Sequence, residues 1–253
     1  MTRAHGVILA LLALTCSAPA VRADDADPRE IVRAAWEHWR GSSSEGEMTM
    51  TVHRPGWERT TSMRLWTRGQ KHSLVRVTEP KKDAGNATLM VGDDMWTFAP
   101  KVNRVLKVPS SMMAQSWMGS DFSNRDVSRA DTIVDQYDHT IVETTKEDGH
   151  VVTVIESIPH PDAAVVWGKE VLRIRDDHVV LAEDYYDQDG KLVKAMRSLE
   201  VGRMGGRALA IVQRMQKAEA KDEWTDVRLD RIEFDVEIPD RVFTRSNLQN
   251  PRD

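Results

Sequence analysis

Two hydrophobic periods divide the chain. Over "PREIVRAAWEHWR", Pro28 to Arg40, apolar residues recur at helical spacing and put Ile31, Val32, Ala35, Trp36 and Trp39 on one face. Asp27 is placed to cap this helix, Pro28 suits its first turn, Glu30 completes a capping box and Gly41 stops it. The pattern predicts an amphipathic helix packed on a sheet. From Glu45 to about Val236 the period becomes two. In "EMTMTV", Met48, Met50 and Val52 share one side, opposite Glu47, Thr49 and Thr51; in "SMRLWT", Met63 and Leu65 alternate with Arg64 and Trp66. "ATLMVGDDMWTF" reads as a hairpin turning at Gly92, Asp93 and Asp94, which places Trp96 and Phe98 in its second strand, and Val102 to Val108 reads as the next strand.

Further strands are "HVVTVIE", "KEVLRIR", "VVLAEDYY", "KLVKAMRS", "ALAIVQRM" and "TDVRLDRIEF", with turns at "EDG", "RDDH", "DQDG" and "GRMGGR". Near Arg231 the apolar phase slips from Val227 and Leu229 to Ile232 and Phe234, the signature of a bulge. Regular strands with short turns describe an antiparallel meander with one face wet and the other covered. A membrane barrel would need an unbroken apolar band, but Lys169, Arg173, Glu183, Lys194 and Arg197 interrupt the strands, and the closing "NPRD" has no terminal aromatic. The expected fold is mainly β: an antiparallel sheet curled into a half-open, incomplete barrel, with an N-terminal helix and a short helical plug or lid.

The plug is "SSMMAQSWMGSDFS", Ser110 to Ser123. Read as a short helix, it faces Met112, Met113, Ser116 and Trp117 one way, stops at Gly119 and begins a polar turn at Asp121.

Residues 1–23 have a lone Arg3, an apolar stretch from Val7 to Thr15, and small residues at Val21 and Ala23, the anatomy of a cleavable secretory signal. The stretch is too short to span a membrane, which takes about 20 residues. One domain, 24–253, is expected to follow, because no Pro-, Ser- or Gly-rich linker interrupts it. The single Cys16 lies in the signal, and Thr15 before it makes a poor lipidation box. The exported chain then lacks a thiol, which excludes disulfides, zinc-thiolate sites and cysteine nucleophiles.

A net charge of −5 and a pI near 5.9 leave no basic footprint for nucleic acid. The His residues form no His-x-x-x-His pair, "DYYDQDGKLV" fails the register of a calcium loop, and no Gly-x-Ser-x-Gly elbow occurs, so no metal, cofactor or catalytic residue is expected. Paired carboxylates such as Asp93-Asp94 and Asp176-Asp177 fall at turns, where Asp is common. The anomaly is 12 Met and 8 Trp against 4 Phe and 3 Tyr: soft, large apolar side chains serve surfaces that adapt to ligands of variable shape.

The order "MVGDDMWTFAPKVNRVLKVP", "MMAQSWMGSDFSNRDV", "YYDQDGKLVKAM" and "IPDRVFTRSNL" resembles the outer-membrane lipoprotein-sorting proteins related to LolA and LolB, over nearly all of the exported chain. The resemblance implies a half-barrel over an apolar cavity lidded by helices, holding lipoprotein acyl chains in the periplasm; because this chain is longer than the best-studied carriers, a free lipid or another amphiphile stays open as cargo. It implies receipt from an inner-membrane export transporter and delivery to an outer-membrane acceptor, by a monomer without enzymatic activity. The expected cavity and lid residues are Met48, Met50, Val52, Met63, Leu65, Trp96, Phe98, Met112, Met113, Trp117 and Met118. Two other readings stand beside it: a periplasmic lipid-sensing regulator of an anti-sigma-factor pathway, and a hydrolase.

Overall fold

The computed structural model describes residues 26–128, 132–163 and 165–251. The expected signal segment, 1–23 with Cys16, lies outside the described residues.

Helix α1 (Pro28–Arg40) forms where the helical period predicts it, and the Asp27 carboxylate caps it by accepting from the Arg29 N–H at 2.9 Å. Glu30 does not close a capping box: its carboxylate pairs with Arg33, one turn further on. Val32 and Ala35 are buried, with Ile31 and Trp36 packed around them. Gly41, at φ 66°, turns the chain out of the helix and donates its N–H to Glu37 O.

The rest is one antiparallel sheet of thirteen strands that does not close into a barrel. One wing is a meander of β1 (Ser43–Arg54), β2 (Trp57–Arg68), β3 (His72–Glu79), β4 (Ala87–Val91), β5 (Asp94–Ala99) and β6 (Arg104–Lys107). The other runs back through β7 (Tyr137–Glu147), β8 (His150–Pro159), β9 (Lys169–Arg175), β10 (Val180–Tyr186), β11 (Leu192–Met204), β12 (Arg207–Lys217) and β13 (Trp224–Phe234). Strand β13 pairs with β1, so the wings meet in the middle and β6 and β7 become the two outer edges. The chain must therefore travel from one edge to the other between Lys107 and Tyr137. That strap carries α2 (Asn124–Ser128) and α3 (Thr132–Asp135) across the inner face.

Strands β3 and β7 were not singled out by periodicity, and the segment expected from Val102 to Val108 is shorter, because Pro100–Val102 forms a 3₁₀ turn. The bulge lies where the phase slips. Met48 faces Leu229 and Glu47 faces Arg231, which leaves Asp230 as the extra residue of β13. Beside it, a β-carbon on Gly46 would stand 2.5 Å from Arg231 O, so any side chain at this central position forces the seam to shift.

Three layers result. On the inner face, α1 and α3 cover β7 to β9 around Val32, Ile133, Tyr137, Ile155 and Leu172. The strap covers the first wing around Met50, Val52, Met63, Met90, Met95 and Trp117. On the outer face of β3 to β6, the C-terminal tail with α4 (Arg245–Gln249) sets Ile238, Phe243 and Leu248 against Leu74, Leu89 and Phe98.

Candidate functional site

Between the layers of the inner face lies a cavity of about 270 Å³, near the lower end of the roughly 300–1,000 Å³ common for ligand pockets. Val75 on β3 and Val180 on β10 both line it. These strands are six spacings apart in the sheet, roughly 29 Å on a flat one at about 4.8 Å per spacing. The sheet must curl to bring both to one cavity. The floor is set by alternation: Tyr185 on β10, Met196 on β11, Met215 on β12 and Val227 on β13 project inward. The roof is the last two turns of α1, with Ala35, Trp36, His38 and Trp39, and Trp39 is 38 % exposed at the rim. A smaller pocket shares Trp39, Arg40 and Met48 and reaches Leu65 and Leu229.

The roof helix is pinned at both ends. Arg29 donates to Val134 O at 3.0 Å and to the Asp135 carboxylate at 2.6 Å. Near the other end, Arg207 donates to His38 O at 3.1 Å and the His38 ring nitrogen Nε2 lies 2.7 Å from Ala208 O. Arg40 donates to Gly69 O and His72 O.

The Met-rich part of the strap is not the single short helix that its spacing predicts. Ser110–Met112 and Trp117–Gly119 are separate 3₁₀ turns, and Ser116 between them is extended and bridges to Ser123. Met118 at φ 52° and Gly119 at φ 71° rule out a continuing helix. Trp117 is buried and its indole N–H donates to Thr88 Oγ1 at 3.0 Å, while the Arg59 guanidinium donates to Met118 O. Asp121, expected to open a polar turn, instead has a fully buried side chain. It accepts from Arg54 at 3.0 and 3.1 Å and from the Thr225 hydroxyl at 2.7 Å. Asp126 on α2 forms an ion pair with Lys194 of β11, with side chains 4 % and 6 % exposed.

Of the residues expected to line or close a cavity, Met48 and Trp117 line the main one and Leu65 the smaller one. Met50, Val52 and Met63 lie fully buried beneath the strap, with Met113 and Met118 packed on the same cluster. Met112 points out and is 40 % exposed. Trp96 and Phe98 lie on the opposite face of the sheet, under the C-terminal tail, and Met95 takes the inward position of β5.

Sequence reasoning missed the wall contributed by the second wing. Glu183 and Lys194 interrupt the apolar pattern of their strands. Both are inward residues, in phase with Tyr185 and Met196, and Glu183 is 4 % exposed. That shared phase was the available signal. Lys169, Arg173 and Arg197 instead pair with Glu156, Glu147 and Asp184.

One His/Asp group comes together among the described residues: His150, Asp176 and Asp177, with ligand atoms within 4.8 Å of one another. Arg175 already fills it. Its guanidinium reaches His150 Nε2 at 2.6 Å and both Asp177 oxygens at 3.0 and 2.6 Å, while His150 Nδ1 lies 2.7 Å from Asp176. The surplus acidity is answered by a protein cation. No helix among the described residues is long and apolar enough to cross a membrane.

An "uncharacterized protein"-like family model matches residues 69–250, more than half of the chain. No curated protein matches the sequence. Among solved structures, a DUF1329 family protein from Desulfovibrio piger is similar with a TM-score of 0.79 at 24% identity, over 88% of this chain and 100% of that one. An outer membrane lipoprotein-sorting protein domain from Vibrio parahaemolyticus gives a TM-score of 0.77 at 21% identity, over 88% and 98%. A LolA superfamily protein from Nitrosomonas europaea gives 0.72 at 21% identity, over 87% and 99%. These likenesses establish the fold: a sheet curled around an inner cavity and left open at its edges.

Proposed function

Because the chain belongs to the uncharacterized family whose model spans residues 69–250 and has the LolA-like fold, we propose that it is a carrier of lipid-type cargo. Exported to the periplasm by its N-terminal signal, it shelters the acyl chains of a lipoprotein or another amphiphile between the inner and outer membranes. It receives the cargo from an export transporter and yields it to an outer-membrane acceptor, as a monomer and without chemical turnover. The observation that carries this reading is the cavity itself, walled by Met48, Trp117, Tyr185, Met196, Leu209 and Met215 and roofed by the tryptophans of α1.

Each CH₂ moved from water into such a cavity contributes about 0.8 kcal/mol, so a few buried methylenes hold an acyl chain reversibly. Methionine walls adapt to chains of differing shape. Release needs a modest shift between closed and open states, and α1 is the element whose displacement uncovers the cavity, because Trp36 and Trp39 form its roof.

Mass spectrometry of protein extracted without detergent tests the proposal. Stoichiometric acyl lipid or lipoprotein is the expected result. Protein that is clean of lipid and also ignores a fluorescent fatty-acyl probe would sink it.

A further inference from the structure

The cavity wall is not purely apolar: it carries Arg40, His38, His178 and Gln213 as well as acidic groups. Two acidic residues line it: Glu183 on β10 and Asp126 on α2. The grid of paired strands sets their neighbours. Glu183 faces Met196 and Tyr185 faces Lys194 across β10 and β11, which puts Glu183 and Lys194 on a diagonal of roughly 7–8 Å. Lys194 reaches Asp126, and its ammonium also stands 4.7 Å from the Tyr185 ring and 5.1 Å from the Trp167 ring. On Asp126, Oδ2 accepts from Lys194 and from the Ser123 N–H at 2.7 Å. Its other oxygen, Oδ1, is buried with no hydrogen-bond partner.

A buried acceptor left unmatched costs about 1–3 kcal/mol, and more when it is charged. A carboxylate oxygen can only accept. An unadorned acyl chain brings nothing to donate, and a fatty-acid head would bring a third carboxylate to a wall that already holds two.

We infer that the cavity is built for an amphiphile carrying a hydrogen-bond donor, a primary ammonium or a hydroxyl, which Asp126 Oδ1 and Glu183 receive inside the apolar wall. This rests on the carrier reading and names its ligand class. The shared chemistry is an N–H or O–H at the end of a long apolar body. The ammonium gains the larger share, because it also meets the charge of the carboxylates.

Calorimetric titration of the purified protein with dodecylamine, 1-dodecanol and dodecanoate, each below its aggregation limit, provides the test. The amine and the alcohol are expected to bind at least tenfold more tightly than dodecanoate. Glu183→Gln should reduce the preference for the amine over the alcohol at least fivefold, because the amide keeps an acceptor and loses the charge. Asp126→Asn leaves Lys194 buried without its counter-charge and endangers folding. The double variant Asp126→Leu with Lys194→Met keeps the interior neutral and should bring the amine and alcohol down to the level of dodecanoate. Equal binding of all three probes, unmoved by Glu183→Gln and by the double variant, overturns the ligand class and leaves the carrier standing. Failure of all three to bind overturns both.

Discussion

Single residues decide how the strap is held, and Asp121 is the plainest case. Its carboxylate is buried between Arg54 and Thr225, two residues at the ends of β1 and β13 that are distant in sequence from the strap. Without Asp121, Arg54 still pairs with Glu223 at 3.3 Å, but the buried Thr225 hydroxyl loses its acceptor and Arg54 two hydrogen bonds, at a cost of about 1–3 kcal/mol. Asp121→Ala is therefore expected to lose that much in urea unfolding, while Met112→Ala on the exposed side of the same strap changes stability by less than about 0.5 kcal/mol. His139 sets a pH dependence. Burial holds its imidazole below the usual histidine value, only partly offset by the carbonyls of Val134 and Ile133. The neutral form is then the one that fits the fold. The unfolded chain takes up the proton first, so stability is complete above about pH 6.5 and falls as the pH drops below it. The lowered carboxylates, Asp176 held down by the Val151 N–H and Glu147 by Thr145 and Arg173, act in a separate and more acidic window. Unfolding curves from pH 7.5 to 5 should show the loss, and His139→Gln should flatten it; an unchanged slope in that variant would assign the effect elsewhere.

At the scale of elements, local periodicity carried α1, the hairpins and the slip at Asp230, because each depends on the spacing of neighbours in sequence. It did not carry β7, whose "IVETTKE" has little apolar alternation because the strand is an outer edge with one hydrogen-bonding partner. Nor did it assign faces. On β5, Met95 and Phe98 are both buried on opposite sides, since the strap covers one face and the C-terminal tail the other. With both faces covered, alternation no longer distinguishes inside from outside. The cavity was half legible for the same reason: methionine enrichment pointed to Met48 and Trp117, but the wall from β10 to β12 comes close only through the curl and the pairing of β1 with β13. That pairing makes its own prediction. Gly46→Ala forces a β-carbon against Arg231 O at the seam between the wings, and is expected to cost about 1–3 kcal/mol and to shift the midpoint of denaturant unfolding accordingly.

For the whole molecule, a cavity of about 270 Å³ makes space a limit on loading. Ala210 of β12 lines the void, and Ala210→Phe should fill part of it, raise the thermal midpoint and reduce acyl-probe uptake at least tenfold. A variant that is stabilised yet loads normally would place the binding space elsewhere. The seam between β1 and β13 also joins residues about 170 to 190 positions apart, and such non-local pairing makes folding slow, in the range of milliseconds to seconds. The wings themselves are local meanders that need no distant partner to form.

The strap from β6 to β7 has a mechanical meaning. It ties the two free edges of an open sheet to each other across the inside, as a bowstring ties the tips of a bow. Docked through Asp121 on Arg54 and Thr225 and through Asp126 on Lys194, the folded strap resists flattening of the half-barrel. Undocking that string would leave every strand pair in place, yet remove its resistance to a wider opening and a larger guest.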